Sequence, residues 1–272
     1  MILAIAAARG VYFALLMLLF GAAAFDALLK KRLPFVAPVL LPKRWMLMAA
    51  LAAALIWFVL AAVQMAGMAD LNAIGLAATT TLFGQVFMVR AVVLLGLLLM
   101  PARRLTWTAL LAGAALSLPS ATSHAAAASP AGFAATGAIL DAVHLLACGF
   151  WVGGLAVLIG LFRRKETNML LVLSMFSDTA LVAVLLLAMT GMINIVTILL
   201  VGNSVHAPVY LAVLGAKLAL VGIMLALALT NRFALTDIGA HPRIARNAMI
   251  ELGLGLIVVL LAGGLGQLAP AL

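Results

Sequence analysis

The chain has 272 residues, of which 23 are charged and 68% are hydrophobic. A water-soluble domain carries about 25% charged side chains; at 8% this chain could not cover its own surface in water. Disorder is excluded as well, because it requires few apolar residues. With a mean hydropathy of +1.33 and repeated long apolar runs, the composition defines an all-α polytopic membrane protein.

Taken in chain order, the apolar runs predict eight transmembrane helices: about 10–30, 45–67, 74–100, 104–119, 131–162, 169–200, 208–231 and 246–268. Most approach or exceed the roughly 20 residues that cross a bilayer. The loops between them alternate in charge. Thirteen of the sixteen Lys and Arg residues fall in four loops: Lys30 to Arg44, Arg103 and Arg104, Arg163 to Lys165, and Arg232 to Arg246. The intervening loops hold Asp70, His124 and His206 and no cation. The positive-inside rule then puts both termini outside and the basic loops in the cytoplasm. The net charge of +9 reports topology, with no nucleic acid as partner. The N-terminus lacks a basic leader region, so the first helix is expected to be retained. One cysteine, Cys148, excludes an intramolecular disulfide. The whole chain, 1–272, is expected to be a single transmembrane domain in the lipid bilayer.

An internal similarity divides it into pseudo-halves at about 1–122 and 123–272. Gln64 to Met68 resembles Ala188 to Met192, and the Phe83/Arg90 spacing matches that of Tyr210/Lys217. These matches point to a parallel 4+4 helix pseudo-repeat.

Charges inside a bilayer cost about 2.5–3.5 kcal/mol each. Arg90, Asp141 and Lys217 lie about ten residues in from the outer ends of their predicted helices, near mid-bilayer. They read either as a structural ion pair, Asp141 with Arg90 or Lys217, or as electrostatic elements of an ion pathway. Asp26 and Glu251 lie nearer the cytoplasmic ends, where they would snorkel or cap. Asp141, His144 and Cys148, spaced three and four apart, share one helical face. Imidazole and thiolate suit copper, and His144 also reads as a hydrogen-bonded packing residue. Methionine thioether is a soft ligand for Cu(I). The pairs Met65/Met68 and Met189/Met192 have an i, i+3 spacing at the outer mouth, near His124 and His206; the alternative is core filling. The sequence holds no P-loop, no CxxC and no HExxH. Gly153-Gly154 and Gly263-Gly264 are expected at helix contacts.

The stretch Leu140-Asp141-Ala142-Val143-His144-Leu145-Leu146-Ala147, followed by Phe150-Trp151-Val152-Gly153-Gly154-Leu155, resembles the signature helix of the copper resistance protein D (CopD) family. Ser123-His124-Ala125, Phe176-Ser177, Thr190-Gly191 with Asn194, Tyr210 to Lys217, Asn231-Arg232, Glu251-Leu252 and Phe83-Gly84 with Arg90 extend the likeness. It covers most of the chain from about residue 80. The resemblance implies an eight-helix protein of the bacterial inner membrane that moves copper from periplasm to cytoplasm beside a separate periplasmic CopC-like copper protein. His124 and His144 match family positions. Cys148 stands where the family more often has a small apolar residue, and His206 where a Thr-x-Tyr-Gly run is expected.

The expectation is therefore a copper permease, a transporter and not an enzyme, with Cu(I) as the favoured cargo. Copper would be captured by His124, His206 and the four methionines, then passed to His144 beside Asp141 and Cys148. Two alternatives stand beside it: a haem-binding membrane oxidoreductase using His144 as axial ligand, and an assembly protein handing copper to a respiratory oxidase.

Overall fold

A computed structural model describes residues 1–101, 103–123, 134–201, 208–235 and 241–267. Its helices are α1 (Ile2–Arg32), α2 (Lys43–Ala66), α3 (Leu71–Thr80), α4 (Leu82–Leu99), α5 (Leu105–Ser117), α6 (Ala134–Arg163), α7 (Met169–Val201), α8 (Pro208–Thr230) and α9 (His241–Leu265). A 3₁₀ segment, Leu118–Thr122, continues α5, and a π turn, Asn231–Leu235, follows α8. Among the described residues, seven helices are long and apolar enough to cross a membrane: α1, α2, α4, α6, α7, α8 and α9. The predicted fourth span is the 13-residue α5 with its 3₁₀ extension.

The predicted span 74–100 is broken in two. At Thr81 the backbone is extended (φ −98°, ψ 145°). Its hydroxyl donates to the Ala77 carbonyl and accepts from Gly84 N at 3.0 Å, closing one helix and capping the next. Gly84 allows the turn to fold tightly, since a side chain there would run into the Ala77 and Ala78 backbone. α3 itself starts at Asp70, whose carboxylate accepts from Asn72 N and Ala73 N, an N-cap. Hydropathy is blind to this break because both halves are apolar.

α1 is the centre of the bundle and packs against α2, α5, α6 and α9. It starts at Ile2, eight residues earlier than its hydropathy suggests. Two buried clusters share it. Tyr12, Leu16, Leu47, Trp57, Leu94 and Leu116 form one; Phe25, Trp151, Leu155, Leu158 and Phe176 form the other. Contact with α6 is backbone to backbone. A side chain at Gly21 would overlap the Gly149 carbonyl, and one at Gly153 would meet Ala22 N and Gly21 Cα. On α9, Gly263 lies against Ala6 and Gly10. Lipid offers no hydrophobic drive between helices, so small residues that admit close approach supply the packing. Of the four glycines expected at contacts, Gly153, Gly154 and Gly263 are so placed; Gly264 has nothing within 4 Å.

Three basic loops meet at one end of the bundle. Asp26, buried rather than snorkelling, accepts from Val39 N at 3.1 Å. Arg164 donates to the Pro38 carbonyl at 2.9 Å. Lys43 Nζ donates to the Met100 carbonyl at 3.0 Å and to Thr108 at 3.4 Å. At the α6–α7 turn Glu166 accepts from Asn168 N and Nδ2, and these donors hold its carboxyl below the usual range. Arg232 then ties α8 to α7, donating to Ser177 at 2.6 Å and pairing with Asp178 at 3.2 Å.

The Met-x-Gly-Met segments are not equivalent. Gly67 takes the left-handed conformation (φ +71°) and ends α2, so Met68 lies past the helix and does not share a helical face with Met65. Gly191 lies inside α7, and Met189 and Met192 remain on one helix.

Gly21→Val should lower stability by at least about 1–3 kcal/mol, the cost of overpacking, because backbone rather than a movable side chain opposes it. Gly264→Ala should leave stability unchanged or raise it by up to about 1 kcal/mol. Thermal unfolding of the two variants in detergent checks both.

Candidate metal site

α1, α6, α7, α8 and α9, with Pro119 and Ser123 beyond α5, line a cavity of about 420 Å³, within the size range of small-ligand sites. Its wall is mostly apolar, with Trp151, Val152, Leu187 and Met224 among the contributors, and it carries Arg9, Asp141, His144, Cys148, Asn194 and Lys217. Asp141, His144 and Cys148 thus share one face of α6, as their spacing predicts, and that face looks into the cavity.

The orientation of His144 is set by Thr190. Thr190 Oγ1 donates its single proton to the Leu186 carbonyl at 2.6 Å. Its oxygen also lies 3.0 Å from His144 Nδ1. With the hydroxyl proton committed, Thr190 accepts from His144, so His144 Nδ1 carries a hydrogen; in the neutral ring the lone pair is then on Nε2. Gly191 leaves room for the ring, whose Cε1 would lie 3.2 Å from a side chain at that position. Metal-binding histidines usually have such a hydrogen bond at one imidazole nitrogen, which leaves the other as the donor to the metal. Thr190 carries no charge and no metal chemistry, so only its Thr-Gly match to the family drew attention to it.

The three intramembrane charges separate. Arg90 does not approach Asp141: it is buried, with its guanidinium 4.5 Å from the Tyr12 ring centre, 4.6 Å from Trp57 and 5.5 Å from Phe87. Its Nε and Nη2 have no hydrogen-bond partner. Lys217 lies in electrostatic range of Asp141, His144 and Cys148 but forms no ion pair with Asp141. The cation that joins these two is Arg9, expected outside the first helix. Because α1 begins at Ile2, Arg9 sits two turns inside it. Its guanidinium lies against Gly266 and over Phe13 and Trp57, at 5.6 Å from each ring centre. Glu251 is buried away from the cavity, accepting from Asn231 Nδ2 at 2.8 Å, while Asn247 Nδ2 donates to Asn231 Oδ1 at 2.8 Å.

His124 and His206 lie outside the described residues. Met65, Met68, Met189 and Met192 are 57–63% exposed, and of these only Met192 reaches the cavity wall. Among the described residues no three His, Cys, Asp or Glu side chains converge as a metal cage.

These features define a polytopic helical membrane protein with a polar-lined cavity between its helices. A family model of the N-terminal domain of copper resistance protein D-like proteins matches residues 1–133, and one of copper resistance protein D matches residues 170–265. The chain belongs to the copper resistance protein D family. It is 32% identical over 151 residues to the copper resistance protein D of Pseudomonas syringae pv. tomato. That match covers 48% of this chain and 48% of the relative, so the chain spans about half the length of the relative it matches. No solved structure matches the chain.

Selective ¹⁵N-histidine labelling should show His144 as the Nδ1–H tautomer. In Thr190→Val, which removes the acceptor, that tautomer should no longer dominate.

Proposed function

We propose that the protein is a copper permease that carries copper as Cu(I) across the bacterial inner membrane, from periplasm to cytoplasm, without chemical conversion of its cargo. The observation that carries this reading is His144, an imidazole held at Nδ1 by Thr190 on the wall of a membrane-embedded cavity. Membership of a copper resistance family supports copper as the cargo. Imidazole, thiol and thioether are the ligand types that suit Cu(I), and His144, Cys148 and Met192 line the same cavity.

In this scheme His124 and His206 receive copper at the outer mouth, from a separate CopC-like periplasmic protein, and Met189 and Met192 pass it to His144. Met65 and Met68 act as exposed outer-face thioethers on the other side of the bundle. Asp141 balances charge beside His144, and Cys148 provides a second soft donor one helical turn along. The chain crosses the bilayer eight times, with the Leu105–Thr122 stretch as the added span and both termini in the periplasm. The meeting of three basic loops at one end favours that end as the cytoplasmic one.

Copper uptake into sealed proteoliposomes tests the scheme. His144→Ala should reduce uptake to the protein-free background. Thr190→Val should weaken copper affinity by about 10–100-fold, the usual effect of losing an outer-shell partner, and Met189→Ala/Met192→Ala should slow uptake from dilute copper. Wild-type uptake in all three overturns the permease mechanism. A Soret band with no copper bound would instead assign His144 to haem, and copper binding without uptake would assign the chain to copper delivery.

A further inference from the structure

Among the described residues that line the cavity, charge does not balance. Arg9 and Lys217 contribute two cations to its wall and Asp141 one carboxylate. No ion pair closes Asp141 against either cation; the ion pair among the described residues is Arg232 with Asp178, at the basic end. Arg9 Nε is buried without a hydrogen-bond partner. Arg90, the other buried cation of α1's surroundings, has its positive charge covered by three aromatic faces. Lys217 has no such cover. It stands on α8 at the cavity wall, in electrostatic range of Asp141, His144 and Cys148.

An uncompensated positive charge beside an apolar wall is costly, and admitting Cu⁺ would add another. A unit negative charge removes the first cost and much of the second. Arg9 and Lys217 also supply N–H donors suited to an anion. Chloride is small and monovalent and is itself a ligand for Cu(I).

We propose that the cavity binds one chloride ion between Arg9 and Lys217, beside His144, and that Cu(I) occupies the cavity together with this chloride. The anion site stands on the geometry alone; its coupling to copper rests on the permease reading. No bond to carbon is made or broken and no electron moves: chloride neutralises the cavity and completes the coordination of copper held by His144 Nε2. The cationic walls then select for the chloride-accompanied ion, and a naked divalent cation meets net repulsion.

Binding of ³⁶Cl⁻ to the copper-free, full-length protein in detergent tests the site, with methanesulfonate replacing chloride at constant ionic strength. The wild type should bind about one chloride per chain, saturably, as one net positive charge requires. Lys217→Met should weaken binding by at least about tenfold, as expected when one buried charge partner is truncated. Lys217→Arg should retain binding, and Asp141→Asn, which removes the competing carboxylate, should tighten it. Arg103→Gln at the exposed basic end should change nothing. If Lys217→Met does not fold, the tightening by Asp141→Asn decides, since a merely structural carboxylate would not produce it. Absence of saturable chloride binding, or weaker binding in Asp141→Asn, overturns the proposal.

Copper uptake into proteoliposomes gives the second arm. Replacing chloride by methanesulfonate on both sides should slow it by about tenfold, equivalent to about 1.4 kcal/mol. Equal uptake in the two salts overturns the coupling and leaves the permease reading intact. Chloride binding with no copper uptake in either salt removes the permease reading and leaves the anion site.

Discussion

The close crossing of α1 with α6 and α9 is the constraint on which the rest of the molecule depends. Gly21 meets Gly149 and Gly153 backbone to backbone, and Gly10 meets Gly263. These contacts bring three helices nearer than any larger side chain would allow, in a solvent where apolar surface alone gives no reason to associate. The position of the functional groups follows. α1 carries Arg9 into the cavity, and α6 presents Asp141, His144 and Cys148 to it. Tyr12 fastens α1 to the other half of the bundle through its hydroxyl, 2.7 Å from the Ala115 carbonyl.

Buried cations are handled in two ways on the two sides of this central helix. Arg90 is enclosed by Tyr12, Trp57 and Phe87, so its charge is met by ring quadrupoles and its planar group is packed like a hydrophobic one. Arg9 shares Trp57 with it but turns its other side toward the cavity. Lys217 has only the cavity. The aromatic half therefore reads as scaffold and the glycine-rich half as the working part, and copper-suited ligands are concentrated in the latter.

Much of this was legible in the sequence because lipid imposes a simple rule: a spanning helix must be long and apolar. The seven long helices obey it, and the Asp141-x-x-His144-x-x-x-Cys148 spacing correctly placed three side chains on one face. The failures have specific causes. Arg9 falls just outside the apolar run of about 10–30 because a charge near a helix start looks like a boundary, although α1 runs through it. The break at Thr81 is a capping event made by one hydroxyl and one glycine inside unbroken apolar sequence. The Met65/Met68 similarity to Met189/Met192 did not survive because a single left-handed glycine, Gly67, ends the first helix where Gly191 lets the second continue. Helical periodicity says nothing about such backbone choices. Nor could it reveal that Asp141 shares its cavity with Arg9 as well as Lys217, since neighbours belong to the helix arrangement and depth alone does not fix that.

The cavity also has walls of unequal compliance. α1, α6 and α9 are joined where backbones touch, so no displacement between them is possible without separating glycines already at the limit of approach. α8 is different. It packs along its length on α9, and has no comparable backbone packing with α6 or with α7, the helix before it in sequence. Its own glycines, Gly215 and Gly222, have nothing within 4 Å. At the basic end it passes into a π turn held by Arg232 and Asn231. A swing of α8 would widen or narrow the space in front of His144 and carry Lys217 with it, while α6 stayed still. The helix that carries His144 is thus mechanically separate from the helix that can yield.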